Sequence, residues 1–342
     1  MTGWHRSLPA AAITVAAFCL VAMAFFATIG QPPVATMVNL VTYAVGDSFS
    51  LSETLVKTTP ILLCALAAIV PARLGLISVG AEGQLYLGAL VGTAAVLSAT
   101  EAPGIVLLPA VLLAGAAGGA LWGWVPGLLR ARLAVNETIT TLLLNYVAVL
   151  LVNALVYGPW KDPGNLGWPA SIAFPDAAVI PSLFGTRVHG GLIIGIVAAL
   201  ALYLLFAHSR WGQQLAVLKG NARVGQMIGL RFGRQTILVM ALGGAFAGLA
   251  GITETAAIQG RLQPGISVGY GLTGFLVAWL AGHNALLALP ISFVVGGLVA
   301  AGDSLQLFNK VPAASATILQ GLLFATALAV PGLMRRWTRR HG

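Results

Sequence analysis

In the stretch Arg73-Leu-Gly75-Leu-Ile-Ser78-Val-Gly80-Ala-Glu82-Gly83-Gln84-Leu-Tyr86-Leu-Gly88, a hydroxyl, an acid and an amide stand among glycines inside an otherwise apolar region. Broken backbone at membrane depth persists only where protein or a water-filled cavity satisfies its N–H and C=O groups. An ionisable side chain at such a break is suited to hold a polar solute or an ion. Ser78, Glu82 and Gln84 are therefore candidates for a substrate pathway; the rival reading of Glu82 is structural, a carboxylate that caps a half helix or pairs with Arg73. A second set, Thr138, Thr141 and Asn145, recurs at helical spacing and shares one helix face. That face can line a solute path or hydrogen-bond a neighbouring segment, the more frequent role. Asn136, Glu137 and Thr140 precede or interleave with it, Asn153 follows it, and Glu254 stands near the end of a later apolar run.

The other stretch with chemical potential is SRWGQQLAVLKGNARVGQMIGLRFGRQ, residues 209–235, which carries Arg210, Lys219, Arg223, Arg231 and Arg234 without an acid. It reads as a solvated connector or as a docking surface. No GxxxxGK[ST] phosphate loop and no HExxH occurs in the chain, so neither P-loop ATP hydrolysis nor zinc-protease chemistry is expected of it. Gly265-Ile-Ser267-Val-Gly269 has nucleophile-elbow spacing and Gly269-Tyr-Gly271-Leu-Thr-Gly274 has dinucleotide-fingerprint spacing. Neither has the strand before it that those motifs need, and both are discounted. Cys19 and Cys64 lie in apolar runs and read as packing residues, with no metal site and no cofactor expected.

The elements that must position these residues are membrane helices. Of 342 residues, 58% are hydrophobic and 8% charged, and the mean hydropathy is +0.92; a soluble globular domain is excluded. The net charge of +9 sits between apolar runs and carries no implication of nucleic acid. The expectation is an all-α polytopic membrane protein of about ten transmembrane helices, some broken or short. The spans fall at about 8–29, 54–72, 76–98, 104–128, 138–157, 191–207, 236–258, 271–282, 285–302 and 313–333. Span 271–282 is short enough for a half helix. Residues 30–52, opening Gln31-Pro32-Pro33, read as an external loop with room for a short interfacial helix. Residues 158–190 form a long external loop whose five prolines forbid a continuous helix.

Lys and Arg gather in cytoplasmic loops. With the N-terminus inside, Arg6, Arg73, Arg130, Arg132, Arg210, Lys219, Arg223, Arg231, Arg234, Arg335, Arg336, Arg339 and Arg340 are cytoplasmic. Lys57, Lys161, Arg187, Arg261 and Lys310 are external. Both termini are then cytoplasmic, and the segments are a first helix and loop (1–52), helices 2–6 (53–207), a cytoplasmic loop (208–235), helices 7–10 (236–334) and a basic tail (335–342). Small residues four apart, Gly88 and Gly92, Gly115 and Gly119, Gly191 and Gly195, Gly244 and Gly248, suit close helix packing.

Taken together, PILLCALAAIVPARLGLISVGAEGQLYLGA (60–89), LRARLAVNETITTLLLNYVAVLLVNAL (129–155), SRWGQQLAVLKGNARVGQMIGL (209–230), LGGAFAGLAG (242–251) and GYGLTGFLVAWLAGHNALLALP (269–290) resemble one family. It is the permease subunit of bacterial ABC importers for nucleosides and simple sugars, related to the ribose and branched-chain amino-acid permeases. The resemblance implies a single transmembrane permease domain in the bacterial inner membrane, in contact with membrane lipids, working by alternating access. It implies an ABC ATPase subunit, a second permease subunit forming a heterodimer, and a periplasmic or lipid-anchored substrate-binding protein as partners. No catalytic residue is implied in this chain, since ATP hydrolysis belongs to the partner. The family's coupling helix matches Gly220-Asn221 through Gly229, so Gly220, Asn221, Arg223, Gly225 and Gly229 are the implied ATPase contacts. Val224 and Gly225 stand where the family usually has two alanines. Nucleosides or related purine-like or sugar-containing solutes are the implied cargo, with pentoses and riboflavin-like vitamins as competitors. The rival class is an ion-coupled secondary transporter that uses Glu82 and Glu254.

Overall fold

The computed structural model describes residues 4–165, 167–183 and 185–341, with side chains among them from 12 to 330 and at 332. The charges of Arg6, Arg335, Arg336, Arg339 and Arg340 fall outside the described side chains. Among the described residues the fold is all helical. In order come α1 (Trp4–Thr28), α2 (Pro33–Val45), α3 (Ser48–Ala72), α4 (Ala81–Ser98), α5 (Gly104–Leu133), α6 (Glu137–Tyr157), α7 (Gly191–His208), α8 (Arg210–Gly220), α9 (Ala222–Met227), α10 (Phe232–Glu254), α11 (Tyr270–Leu280), α12 (Ala285–Asn309) and α13 (Ala314–His341). Six of the described helices are long and apolar enough to cross a membrane, or seven if the bent pair α1–α2 is one span. That is fewer than ten. Glu82, Gln84 and the glycines make α4 too polar to qualify, and the apolar parts of α11 and α13 are short. Residues 30–52 hold the short helix for which the expected loop had room, α2, and the start of α3. Pro33 at the first turn of α2 suits a helix start, and α2 turns 117° from α1 before α3 begins at Ser48.

The chain divides into two compact units, residues 1–57 with 293–342, and residues 58–292. The first has a core of Ala22, Phe26, Leu40, Leu298, Ala301, Leu305, Val311 and Leu319, and Lys57 and Asp303 form an ion pair at 3.1 Å.

The second unit is built on three helices that touch through backbone. A Cβ on Gly88 of α4 would fall on the backbone of Gly248 in α10; one on Gly119 of α5 would fall on the carbonyl of Gly244, and one on Gly248 on the carbonyl of Gly115. Ile252, fully buried, fills the space left by Gly92 and Gly115. In lipid no hydrophobic effect drives helices together, so contact at backbone distance is what holds them.

Among its described residues the 158–190 connection is non-helical apart from one 3₁₀ turn, Asp176–Ala178. It lies along the end of α10, where the helix widens into a π turn at Thr255–Gln259. The Phe174 and Ile180 amides donate to the Gly260 and Ala256 carbonyls at 2.8 and 3.1 Å, and Phe174, Ala178 and Ile180 pack with Leu107, Val111 and Ile252. At its end His189, 2% exposed, accepts from the Gly191 N–H through Nδ1 at 3.2 Å, a bond that requires the neutral ring. Burial holds its pKa down to about 4, whereas a free ring titrates near about 6.5. Between those values the loosened loop binds a proton that the docked loop does not. Docking is therefore complete above the free value and weakens as pH falls toward the lower one. Acidification from about pH 7 to about pH 5 should cost about 2 kcal/mol of local stability. Amide exchange around residues 182–192 should quicken accordingly, and His189→Gln should abolish that pH dependence.

Candidate functional site

α3 ends at Ala72, and residues 73–80 run without helix until α4 starts at Ala81. Gly75, at φ +84°, takes a conformation that side chains avoid and turns the chain out of the helix. The unwound backbone is satisfied by one face of α6. Asn136 caps that helix, its Oδ1 accepting from the amides of Thr138 and Ile139 at 2.9 and 3.3 Å. From the first turn onward the side chains reach across. The Ile77 amide donates to Glu137 Oε1 (3.4 Å), Thr138 Oγ1 donates to the Ile77 carbonyl (3.0 Å), and the Val79 amide donates to Thr141 Oγ1 (3.2 Å). Asn145 closes the ladder twice, donating through Nδ2 to the Val79 carbonyl (2.9 Å) and accepting at Oδ1 from the Gly83 amide (2.8 Å). Arg130 holds Glu137 from the other side, Nε to Oε2 at 3.2 Å.

Glu82 lies on the first turn of α4 and accepts from the Gly271 amide at 2.7 Å, in the first turn of α11. Gly271 permits this approach, because a Cβ there would fall on the Glu82 backbone. An anionic oxygen at a helix N-terminus meets unpaired N–H groups and the positive end of the dipole. Ser267 completes the cap: its Oγ accepts from the amides of Gly269 and Tyr270 at 3.1 and 3.0 Å, and its hydroxyl is also a partner of the Glu82 carboxylate. Elbow-like and fingerprint-like spacings thus belong to the cap and first turn of a short helix. Arg73 does not pair with Glu82; its guanidinium lies 4.9 Å over the Phe206 ring. Ser78 and Gln84 are buried at 5% and 2% exposure, and Gly80 and Gly123 leave the room that the Gln84 amide nitrogen uses. Glu254 is 6% exposed where α10 meets the π turn. Among the described residues no three His, Cys, Asp or Glu side chains lie close enough to hold a metal ion.

The 209–235 connection folds as two short helices. Ser209 caps α8 by accepting from Gly212, and Asn221 caps α9 by accepting from Arg223 and Val224 at 3.0 and 3.2 Å. Gly225 packs on Leu218, and Gly229 ends the turn at φ +85°. Gly220, Asn221, Arg223 and Gly229 are exposed. So are Val224, Met227 and Ile228, at 48%, 84% and 64%. The polar pattern of the segment revealed neither this apolar tip nor the bond from Lys219 Nζ to the Ala72 carbonyl at 3.0 Å.

Residues 50–328 match the model of the family described as "Branched-chain amino acid transport system / permease component". The chain is 36% identical over 288 residues to the "Glucose ABC transporter permease protein TsgB13" of Haloferax volcanii, covering 81% of this chain and 75% of that one. It is 32% identical to the "Guanosine ABC transporter permease protein NupP" of Bacillus subtilis, over 78% of this chain and 77% of that one. It is 28% identical to the "Nucleoside ABC transporter permease protein NupB" of Lactococcus lactis subsp. cremoris, over 75% and 73%.

Proposed function

We propose, from the premise that this chain belongs to the branched-chain amino acid transport system / permease component family, that it forms half the pore of an ATP-driven importer in the bacterial inner membrane. The chain is the permease subunit of an ABC importer of the nucleoside or sugar type, not itself an enzyme, and the family favours ATP drive over ion coupling through Glu82 and Glu254. A separate ATPase and a substrate-binding protein go with that role; a second, different permease supplies the other half of the pore. The ten-span reading with both termini cytoplasmic puts the 209–235 connection on the ATPase side. Ser78 in the unwound segment and Glu82 and Gln84 in the first turn of α4 border the solute path, and Thr138, Thr141 and Asn145 hold that wall in shape.

One observation carries the energy-coupling part. Val224, Met227 and Ile228 are exposed on a short helix amid Arg210, Arg223, Arg231 and Arg234, all exposed too. Five such cations, Lys219 included, keep the segment out of hydrocarbon, and an apolar tip held in water marks a protein contact. We expect Met227→Asp with Ile228→Asp to abolish co-purification of the ATPase and to cut transport at least about tenfold, the scale of losing a central contact of about 2 kcal/mol or more. The variant permease should still elute as a monodisperse peak. Undiminished recovery of the ATPase would refute the docking role.

A further inference from the structure

Lys219 stands in the last turn of α8, just before the apolar tip of α9. Lys219 is exposed, yet the end of its side chain is tied back to the protein. The ammonium donates to the carbonyl of Ala72, the last residue of α3, at 3.0 Å. That carbonyl also accepts the Gly75 amide at 3.1 Å and so closes the turn that leads out of the helix. The stem of Lys219 crosses Gly75: a Cβ built there would sit 3.5 Å from Lys219 Cγ. A cation at the negative end of a helix is favourable there, and this one lies on the first turn of the unwound segment. Beside it Arg73 stacks on Phe206 at the end of α7. His283, in the turn between α11 and α12, is held below its ordinary pKa by burial and by the charges of Lys219 and Arg73.

Beyond this contact the segment depends on side chains rather than on a helical ladder. Glu137, Thr138, Thr141 and Asn145 hold residues 77–83, and Glu82 takes the first turn of α11. Such bonds can exchange partners without unwinding a helix.

We propose that Lys219 is the positioning residue that carries movement of the α8–α9 connection into the unwound segment between α3 and α4. The proposal rests on the permease reading above. It assigns Lys219 a mechanical role distinct from docking, which belongs to the tip of α9, and from the topological role of a basic loop.

The test uses the full complex, purified with its ATPase and placed in lipid nanodiscs. Cys19 is replaced by serine, Cys64 being fully buried, and Ile77→Cys, at a position 40% exposed on the unwound segment, supplies the reporter. The rate of labelling by a maleimide fluorophore is compared without nucleotide and with ATP plus orthovanadate. We expect nucleotide to change that rate at least about fivefold, within the range of ordinary allosteric coupling. Lys219→Met should erase the change with the ATPase still bound, and Lys219→Arg should restore it. A topological lysine would alter the yield of inserted protein and leave this ratio alone. An unchanged ratio in Lys219→Met overturns the proposal, as does a reporter that ignores nucleotide in the parent complex. If Lys219→Met does not assemble, Lys219→Gln replaces it; failure of both makes Lys219 a folding residue and also overturns the proposal. If no ATPase purifies with the parent chain, the permease reading fails instead.

Discussion

Gly248→Leu should leave almost no folded protein. On α10 the α-carbon of Gly248 meets the backbone of Gly115 and Gly119 on α5, and a Cβ on Gly88 of α4 would fall on Gly248 itself. Overpacking usually costs about 1–3 kcal/mol, because neighbouring side chains move aside. Here the neighbours are carbonyls and α-carbons of two other helices, which move only if the helices part. Parting them surrenders the close packing that stands in for the hydrophobic effect in lipid. The loss should therefore exceed that range and approach the whole stability of a typical domain, about 5–15 kcal/mol. Gly321→Leu is the control, since nothing lies within 4 Å of a Cβ there. In size-exclusion chromatography of detergent extracts the monodisperse peak of Gly248→Leu should fall at least about tenfold, a change that about 1.4 kcal/mol already produces, while Gly321→Leu matches the parent. A normal peak for Gly248→Leu would mean that the α5–α10 contact is not structural.

The small-residue pattern made that contact partly legible. Gly88, Gly115, Gly119, Gly244 and Gly248 could be picked out by their spacing, but spacing does not say which helix meets which. Gly195 looks alike in the sequence and faces Leu62 of α3 instead. The break at residues 73–80 was legible for a different reason: glycines with an acid and an amide cannot continue an apolar helix without satisfying their own polar groups. Its partners were half legible. The spacing of Thr138, Thr141 and Asn145 gives a shared face, while the backbone they bond lies some 60 residues earlier. Glu82 shows the limit most clearly. Both the solute reading and the capping reading follow from a carboxylate at a helix break, and the amide it takes, that of Gly271, is 189 residues away. The exposed tip of α9 was hidden because Val224, Met227 and Ile228 read as ordinary apolar residues until their helix is known to bury only Gly225.

Asn145→Leu should be the most damaging single change in the wall of the unwound segment. Leucine keeps asparagine's number and branching of heavy atoms, so no cavity forms. Two backbone groups lose their partners at once, the Gly83 amide and the Val79 carbonyl. Each buried unsatisfied group costs about 1–3 kcal/mol, and the site, with Asn145 at 8% exposure, offers little water to replace the lost bonds. A total of about 2–6 kcal/mol follows, with a fall in Tm on the order of 10 °C by the scale of soluble domains. Thr141→Val removes the acceptor of the Val79 amide and the hydroxyl's own bond to the Thr138 carbonyl inside α6, which keeps its helical partner, and should cost about 1–3 kcal/mol. Asn145→Asp keeps the acceptor for Gly83 but sets an oxygen against the Val79 carbonyl, so it should fall between the two. Because Thr141 and Asn145 both hold Val79, Thr141→Val combined with Asn145→Leu should cost less than the sum of the single changes. Thermal unfolding of the purified complex ranks the four variants, and transport measured on the same preparations separates two roles for the same side chain. A large fall in Tm with transport lost in proportion fits a wall whose shape Asn145 maintains. Unchanged Tm with transport lost would move Asn145 from the wall into the solute path, since an amide free to meet solute is one whose backbone partners do not depend on it.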